Sequence, residues 1–350
     1  NLIKMMGHLV VAWDEESLVR FESPEYVDWR FSPKTFQPLS LLFAWGKSDA
    51  QLFRNYNKRG AVEIHETGNP RLDLLLPSFR HIYDSDVKKI RDRYGNFMLV
   101  NTNFSFVNNF VEDLNLVNFK EGAFSNVSRT GEGMSKKFAC GMYEHQKVIF
   151  QSFKIMIREL SKRFSNLKII VRPHPSENHE YWEKAISDCV NVSVVHDGNV
   201  IPWLLASDVL IHNGCTTAVE AALVNKKAIS YMPIKSRSFD YHLPNNLSIK
   251  TSNREELILA VGKVLNSSIE EVDAAAESLL KKHVAGSGQA TSSELVLDVL
   301  DEYLAVNPHN IKRGHLQFFI ASLLVRGRTL VKQFNRRRKG HRNSKEYHDH

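Results

Sequence analysis

The sequence is poor in the residues that mark several large protein classes. Its 350 residues include three cysteines, Cys140, Cys189 and Cys215, which lie far apart and form no Cys-x-x-Cys pair. This pattern is typical of a reducing compartment and does not favour a structural zinc site. Only 17 residues are glycine and 11 are proline, which excludes collagen-like and low-complexity chains.

Long hydrophobic runs and common nucleotide fingerprints are also missing. No stretch reaches the ~18 consecutive apolar residues of a membrane-spanning helix. The first seven residues lead straight into a strand-like run and do not resemble a signal peptide. The sequence contains no GxGxxG, no GxxxxGK[ST] and no GxSxG pattern, so the standard NAD, ATP and hydrolase fingerprints are absent.

The positive charge is concentrated at one end of the chain. The net charge is +7, but residues 311–350 alone carry +9, with eleven Lys and Arg and two acids, and the remainder carries −2. A uniformly basic protein would suggest a nucleic-acid partner. Here only the tail is basic and no nucleic-acid-binding motif is present, so we expect no nucleic-acid partner.

The tail is also amphipathic. Seven apolar residues share one face of a helix predicted over 315–334: Leu316, Phe319, Ile320, Leu323, Leu330, Val331 and Phe334. The basic run 336–342 follows. This pattern favours a helix on an anionic membrane surface, which would place the protein peripherally on the inner face of the cytoplasmic membrane. The alternative is a helix that packs on the body of the protein, followed by a disordered tail.

The rest of the chain has an α/β pattern. Buried-strand runs alternate with helical spacing, which predicts parallel, doubly wound sheets in two blocks, residues 1–90 and 95–305. The three strand-like runs of the first block cannot cover both faces of a parallel sheet. We therefore expect that a piece on the order of 80 residues precedes position 1. Residues 120–140 contain three glycines and little periodicity, which predicts a mobile loop.

Arg172-Pro-His-Pro175 follows directly on a predicted core strand. In open α/β sheets, ligands bind beyond the carboxyl ends of the strands. The flanking prolines stiffen the loop around His174, which can donate to a phosphate oxygen, and Arg172 can add charge-assisted bonds. The alternative is a strand-ending turn with an exposed histidine.

A second motif, residues 212–222, also follows a strand and opens a helix. Gly214 permits a tight turn, and Thr216 or Thr217 can cap a helix whose free N–H groups bind phosphate. Glu220 lies one turn further and can accept from a ribose hydroxyl. A capped helix without a ligand is the alternative, but two such motifs on one sheet favour a binding site.

Carboxylates and amides supply the remaining candidates. Asp14, Glu15 and Glu16 end a strand of the first block and could provide a general base or a nucleophile, or could form a solvated acidic turn. Asn101 and Asn103 follow the first strand of the second block, where their amides suit hydroxyl or phosphate recognition or an ordinary turn. His212, Cys215 and Cys189 lack metal-ligand spacing, and no metal is expected.

Taken together, these motifs resemble those of bacterial surface carbohydrate biosynthesis proteins, over about residues 5–305. The resemblance rests on seven segments in order: Gly7-His-Leu-Val-Val-Ala-Trp-Asp-Glu-Glu16, Ser23-Pro-Glu-Tyr26, Phe43-Ala-Trp-Gly46, Thr67-Gly-Asn-Pro-Arg-Leu-Asp73, Asn101-Thr-Asn-Phe104, Arg172-Pro-His-Pro175 and His212-Asn-Gly-Cys-Thr-Thr-Ala-Val-Glu220. That family is similar to GT-B glycosyltransferases and, more distantly, to capsule transferases that use CMP-activated Kdo.

The resemblance implies two Rossmann-like domains with a cleft between them, the N-terminal one incomplete. It implies a metal-independent glycosyltransferase of capsule or lipopolysaccharide biosynthesis, with a nucleotide-sugar donor, a glycan or lipid-linked glycan acceptor and no cofactor. The donor would be CMP-linked Kdo or another nonulosonic acid. His174 would bind its phosphate, and Asn213, Thr216, Thr217 and Glu220 would form the donor-nucleotide loop.

Two other functions remain open. A His-Pro pair and a Gly-Asn-Pro-Arg segment are also compatible with a CDP-glycerol-type glycerophosphotransferase. A non-catalytic scaffold of a polysaccharide assembly complex is the third possibility, in which Asp14, Glu15 and Glu16 would tolerate substitution.

Overall fold

The computed structural model describes residues 2–5, 8–31, 33–57, 60, 62–266, 274–286, 290–307, 319–320, 322–327 and 329. The basic run 336–342 and most of the predicted tail helix lie outside these residues. Among the described residues, no helix combines the length and the apolar composition needed to cross a bilayer.

The first unit is built on a three-stranded parallel sheet. Its order is β1-β2-β3, with β1 Val11–Trp13, β2 Leu41–Ala44 and β3 Glu63–Glu66. All four residues of β2 are buried, as expected for the central strand of a parallel sheet. The helices of this part of the chain are α1 Leu2–Met5, α2 Pro24–Arg30, α3 Pro33–Phe36 and α4 Lys47–Tyr56.

The second unit contains a six-stranded parallel sheet of order β11-β10-β9-β4-β7-β8. Its strands are β4 Phe97–Asn101, β7 Lys168–Arg172, β8 Val192–Val194, β9 Val209–His212, β10 Ala228–Tyr231 and β11 Ile249–Thr251. Its helices are α5 Asp84–Tyr94, α6 Lys136–Arg163, α7 His179–Ala185, α8 Val200–Ala206, α9 Thr216–Leu223, α10 His242–Asn246 and α11 Arg254–Leu265. From β4 the chain adds β7 and β8 on one side of the sheet. It then crosses to the other side of β4 and adds β9, β10 and β11, so the strand order reverses between β4 and β9.

Both faces of this sheet are covered, as the predicted doubly wound fold requires. Phe97 and Leu99 of β4 belong to one hydrophobic cluster, whereas Met98 and Val100 belong to another. This alternation follows from the two-residue period of a strand, which sends successive side chains to opposite faces. The α/β fold with parallel sheets, expected from the sequence, is therefore confirmed.

Residues 120–140 are not the mobile loop that the sequence suggested. They hold part of an antiparallel hairpin, β5 Val117–Lys120 and β6 Ala123–Val127, followed by the start of α6. The two loop residues, Glu121 and Gly122, both have positive φ angles, of 50° and 80°. A two-residue loop of this kind matches the twist of its strands. The prediction was wrong because Glu-Gly is an uncommon pair in such a loop.

Two further helices return the chain to the first unit. They are α12 Ala274–His283 and α13 Ser292–Val306. Val296 of α13 packs with Leu41 and Phe43 of β2, and α12 lies against α4. By sequence position both helices fall in the predicted 95–305 block, but α13 covers the first sheet and α12 packs on a helix of the first unit. That sheet has an apolar face that its own few helices leave open, and burying it stabilises this arrangement.

The two units share one hydrophobic cluster. Phe21 from the first unit stacks on Tyr241 from the second, with ring centroids 4.4 Å apart. The Trp29 Nε1–H donates to the Glu132 carbonyl at 2.8 Å. These contacts hold the first unit at a fixed place above the large sheet.

Asp73 forms hydrogen bonds that join the start of α13 to the first unit. Its carboxylate accepts from the backbone N–H groups of Ser292 and Ser293, both at 2.8 Å, and from the Ser293 hydroxyl at 2.6 Å. The first N–H groups of a helix have no partner within the helix, and they favour a negative charge. Asp73 therefore satisfies two donors of the helix start, of which the Ser292 N–H is buried.

We expect Asp73→Ala to lower the free energy of unfolding by about 2 kcal/mol, because it leaves the buried Ser292 N–H and the part-buried Ser293 N–H without an acceptor. Urea denaturation followed by circular dichroism measures this change. Asp92→Ala is the matched control, since Asp92 is an exposed aspartate paired with Lys88, and its loss should cost less than about 0.5 kcal/mol. Equal effects of both variants would contradict the role of Asp73.

Candidate functional site

A pocket of about 450 Å³ lies between the two units. It opens at the carboxyl ends of β4, β7 and β9, where the strand order of the large sheet reverses. This is the position at which open α/β sheets bind their ligands. Its lining includes Glu16, Arg71, Leu74, Leu75 and Tyr83 from the first 83 residues, and Asn101, Asn103, Arg172, His174, His196, Thr216, Thr217 and Glu220 from the second unit.

His174 presents one ring nitrogen to the pocket as a hydrogen-bond donor. The Ser176 backbone N–H donates to its Nδ1 at 3.2 Å, so Nδ1 is the acceptor of the neutral ring and Nε2 carries the proton. Desolvation lowers the pKa of His174, while the nearby Glu177 and Glu16 carboxylates oppose this shift. The ring is thus a neutral donor at pH 7.

Glu177 is a buried carboxylate that ties two strand ends together. Its Oε1 accepts from the Thr102 hydroxyl at 2.8 Å and from the His174 backbone N–H at 3.0 Å, and its Oε2 accepts from Trp182 Nε1–H at 2.8 Å. Burial raises the pKa of Glu177, and these donors lower it again. Because Thr102 follows β4 and His174 follows β7, this one carboxylate fixes the His174 loop relative to the neighbouring strand.

Asn213, which follows β9, connects the end of this strand to the loop after β4. Its Oδ1 accepts from the Asn103 backbone N–H at 2.8 Å, and its Nδ2 donates to the Asn103 carbonyl at 3.0 Å. The predicted donor-binding residue Asn213 therefore holds a neighbouring loop with both ends of its amide. Asn213 thereby positions Asn103, which lines the pocket.

Asn101 lines the pocket and has one unpaired side-chain acceptor. Its Nδ2 donates to Thr217 Oγ1 at 3.0 Å. Its Oδ1 is buried and has no hydrogen-bond partner within the described parts of the chain. A buried acceptor without a partner is unfavourable, and this one belongs to a residue at the edge of the pocket.

The start of α9 faces the same pocket. The expected cap differs, because Cys215 occupies the N-cap position without a side-chain hydrogen bond, and Thr216 and Thr217 are the first helical residues. Gly214, at a φ of 94°, makes the turn before the helix, and an added Cβ there would lie 2.5 Å from the Tyr241 ring. The free N–H groups of this helix start remain candidates for binding phosphate.

The structure separates the three candidate acids. Asp14 forms an ion pair with Arg30 and does not line the pocket, and Glu15 accepts from Asn69 Nδ2 at 2.9 and 3.0 Å. Glu16 lines the pocket and acts electrostatically on both His174 and Glu220. Of the three, Glu16 has the position for chemistry on a bound ligand.

Arg172 holds a pocket loop instead of presenting its charge. Its guanidinium donates to the carbonyls of Asp197, at 2.9 Å, and Gly198, and lies over the Trp203 ring. The loop that it fixes carries His196, whose ring packs against His179 in a tilted arrangement with the ring centroids 4.5 Å apart.

Two site residues escaped the sequence analysis. Arg71 lines the pocket between Glu15 and Glu220, and Glu177 organises the strand ends. Arg71 lies inside the Thr67–Asp73 segment of the resemblance, but that segment by itself did not identify the arginine as a pocket residue. Glu177 had no signal, because a single glutamate after the His-Pro pair looks like a solvated residue.

His212 has a structural role. The Gly214 N–H donates to its Nδ1 at 2.9 Å, and its Nε2 lies 2.8 Å from the Ser248 hydroxyl. Burial lowers the pKa of His212 to about 3. Within the described residues, no group of three or more His, Cys, Asp or Glu side chains is arranged to hold a metal ion.

The chain belongs to the DUF354 family, described as proteins of unknown function, whose family model matches residues 85–280. No curated protein matches the chain. Among solved structures, the wall teichoic acid polymerase TagF is similar, with 12% identity and a TM-score of 0.46 over 79% of this chain and 61% of that one. Alr3699/HepE of Anabaena, solved in complex with UDP-glucose, is similar with 13% identity and a TM-score of 0.41 over 85% of this chain and 72% of that one.

The chain thus spans less than two thirds of the TagF chain that it matches. Both TM-scores lie below 0.5, so neither likeness assigns a reaction or a substrate to this chain.

The buried His212 should make folding sensitive to acid. Its folded pKa of about 3 lies below the usual value near 6.5, so the unfolded chain binds a proton that the folded chain excludes. The contribution is fully present above pH 6.5 and is lost as the pH falls. We expect His212 alone to remove about 2 kcal/mol of stability between pH 7 and pH 5.

Urea denaturation at both pH values measures this loss. In His212→Gln the loss should shrink by about that amount, because glutamine does not titrate, whereas His81→Gln, which replaces an exposed histidine, should leave it unchanged. An unaltered pH dependence in His212→Gln would contradict the assignment.

Proposed function

We propose that this protein is a glycosyltransferase of surface polysaccharide biosynthesis that binds a nucleotide-activated sugar in the pocket between the two units. The observation that carries the proposal is the arrangement of the pocket. The polar ends of three neighbouring strands, with His174 and the start of α9, face Glu16 of the first unit. A donor held on the large sheet would have its sugar directed toward that carboxylate.

The second unit supplies the groups for the donor phosphate. His174 Nε2–H and the free N–H groups at the start of α9 are hydrogen-bond donors, and they favour the negative charge that grows on the leaving phosphate. Glu220, nearly buried at 7% exposure, is an acceptor for ribose hydroxyls. We propose that these groups replace a metal ion in the reaction.

Glu16 is the proposed base. In the transfer step, the acceptor hydroxyl oxygen bonds to the anomeric carbon while the bond from that carbon to the phosphate oxygen breaks. The nucleotide leaves with the bonding electrons, and Glu16 takes the hydroxyl proton. A carboxylate in this place could instead attack the sugar itself, and the stereochemistry of the product separates the two routes.

The motif resemblance supports a CMP-linked donor, Kdo or another nonulosonic acid, and an acceptor in capsule or lipopolysaccharide assembly. A CDP-glycerol-type glycerophosphotransferase is the second candidate. It is favoured by one specific observation, that the Gly-Asn-Pro-Arg segment places Arg71 in the pocket. The scaffold alternative requires no chemistry from Glu16 and is therefore open to the same test.

We also propose that the protein works peripherally on the inner face of the cytoplasmic membrane. Five apolar side chains of the described tail segment are exposed, Phe319, Ile320, Leu323, Leu324 and Val325. In the sequence the basic run 336–342 follows. Exposed apolar side chains next to a basic cluster favour anionic lipid surfaces.

Two substitutions test the transferase proposal. We expect His174→Ala to weaken CMP binding about 10-fold or more, because a hydrogen bond to a charged phosphate is lost. We expect Glu16→Gln to leave CMP binding within about threefold but to lower kcat by about 100-fold or more, since the base is removed. Calorimetry measures binding, and release of CMP from CMP-Kdo in the presence of a glycan extract measures turnover.

Glu22→Gln is the matched control for Glu16→Gln. Glu22 is an exposed acid of the same segment, paired with His242, and its removal should change neither quantity. Full turnover in Glu16→Gln would favour the scaffold or another catalytic acid. Unchanged CMP affinity in His174→Ala would exclude the proposed phosphate contact.

The membrane proposal has its own test. Deleting residues 311–350 should abolish flotation with vesicles that contain phosphatidylglycerol, because the apolar face and the net charge of +9 are removed together. The CMP affinity should stay the same, since every pocket residue that the structure describes lies within residues 16–220. Equal flotation of the two proteins would assign the tail another role.

A further inference from the structure

We infer that Arg71 binds an anionic group that the donor carries beyond its first phosphate, either a carboxylate on the sugar or a second phosphate. This inference rests on the proposed function, because it adds a contact within the same pocket. The first unit contributes this contact, so the group that is transferred would be recognised from the side opposite the nucleotide.

A backbone hydrogen bond and an aromatic ring position Arg71 at the pocket. It lies in a short 3-10 helix, Pro70–Leu75, where the Asn69 side chain accepts from the Arg71 backbone N–H at 3.0 Å. Its guanidinium lies over the Trp45 ring, 5.2 Å from the ring centroid. A guanidinium supported on an aromatic face loses little freedom when it binds an anion.

The present partners of Arg71 hold it loosely. Its Nη1 lies 3.8 Å from Glu15 Oε2, and its Nη2 lies 3.4 Å from Glu220 Oε1. Neither pair has the two short, parallel bonds of a strong arginine–carboxylate pair. The Arg71 side chain is also 41% exposed. Its donors can therefore turn to a ligand without breaking a tight ion pair.

The other guanidinium of the described pocket lining is already paired, and His174 adds no positive charge. The Arg172 guanidinium donates to the Asp197 and Gly198 carbonyls. His174 is neutral at pH 7, because desolvation lowers its pKa. Within the described lining, Arg71 is thus the guanidinium that can pair with a second anionic group.

Glu220 helps Arg71 to exchange a carboxylate of the protein for an anionic group of the ligand. It is nearly buried, burial raises its pKa, and the charge of Arg71 lowers it. If ribose hydroxyls donate to Glu220, the carboxylate keeps hydrogen-bond partners after Arg71 turns away. Binding of the nucleotide and release of Arg71 toward the transferred group would then be one coupled event.

The test compares three ligands on the intact protein by calorimetry: CMP, CMP-Kdo and CDP-glycerol. CMP has neither extra anion, CMP-Kdo adds a carboxylate and CDP-glycerol adds a second phosphate. We expect Arg71→Ala to weaken the binding of one donor about 10- to 100-fold, the range typical for a lost charge-assisted hydrogen bond. CMP binding should stay within about threefold. The donor that is affected identifies the anion.

Two further variants distinguish the loss of an anion contact from a purely structural effect. Arg71→Lys keeps the charge without the fork of donors, so we expect an intermediate loss for the same donor. Arg54→Ala is the matched control, because Arg54 also pairs with a glutamate of the first unit, Glu66, at 3.1 Å, and does not line the pocket. It should leave all three affinities unchanged.

The outcomes separate the two proposals. If Arg71→Ala weakens CMP and both donors by the same factor, or changes none of them, the anion contact is wrong while the nucleotide site stands. If the wild-type protein binds none of the three ligands, the proposed function is wrong and the assignment of Arg71 fails with it.

Discussion

The buried carboxylate of Glu177 is the interaction on which the shape of the site depends. It accepts hydrogen bonds from Thr102 after β4, from the backbone of His174 after β7, and from the Trp182 ring. A carboxylate that is almost fully buried is costly unless its oxygens are paired. These donors come from different loops. All of the hydrogen bonds to Glu177 can form together only when the loops take one arrangement. The orientation of His174 follows from that arrangement.

The first unit forms one side of the pocket. Its contacts with the second unit hold it in place over the large sheet. The stacked rings of Phe21 and Tyr241 belong to a hydrophobic cluster that continues through both units. Asp73 binds the first N–H groups of α13, which in turn covers the first sheet. Glu16 and Arg71 are therefore presented to the large sheet from a rigid neighbour, which is the preorganisation that transition-state stabilisation requires.

Much of the fold and part of the site could be predicted from the sequence. The strands of the large sheet and the pocket residues His174, Thr216 and Glu220 follow from local patterns, since polar residues after buried strands meet at one sheet edge. The hairpin at 117–127 could not be recognised, because its loop lacks the usual residues. The side chains of Asn213 and Arg172 hold loops at the strand ends, and no local pattern distinguishes a loop-holding amide or guanidinium from a ligand-binding one.

The sequence by itself determined the alternation of strands and helices and the sheet edge at which polar groups gather, because both depend on residues close together along the chain. Only the tertiary structure decided which acid faces the pocket and that Arg71 meets Glu220. Those two residues are 149 positions apart, and their contact depends on how one unit packs on the other. The same packing decided that α13 covers the first sheet, since the apolar face that needs covering belongs to strands far earlier in the chain.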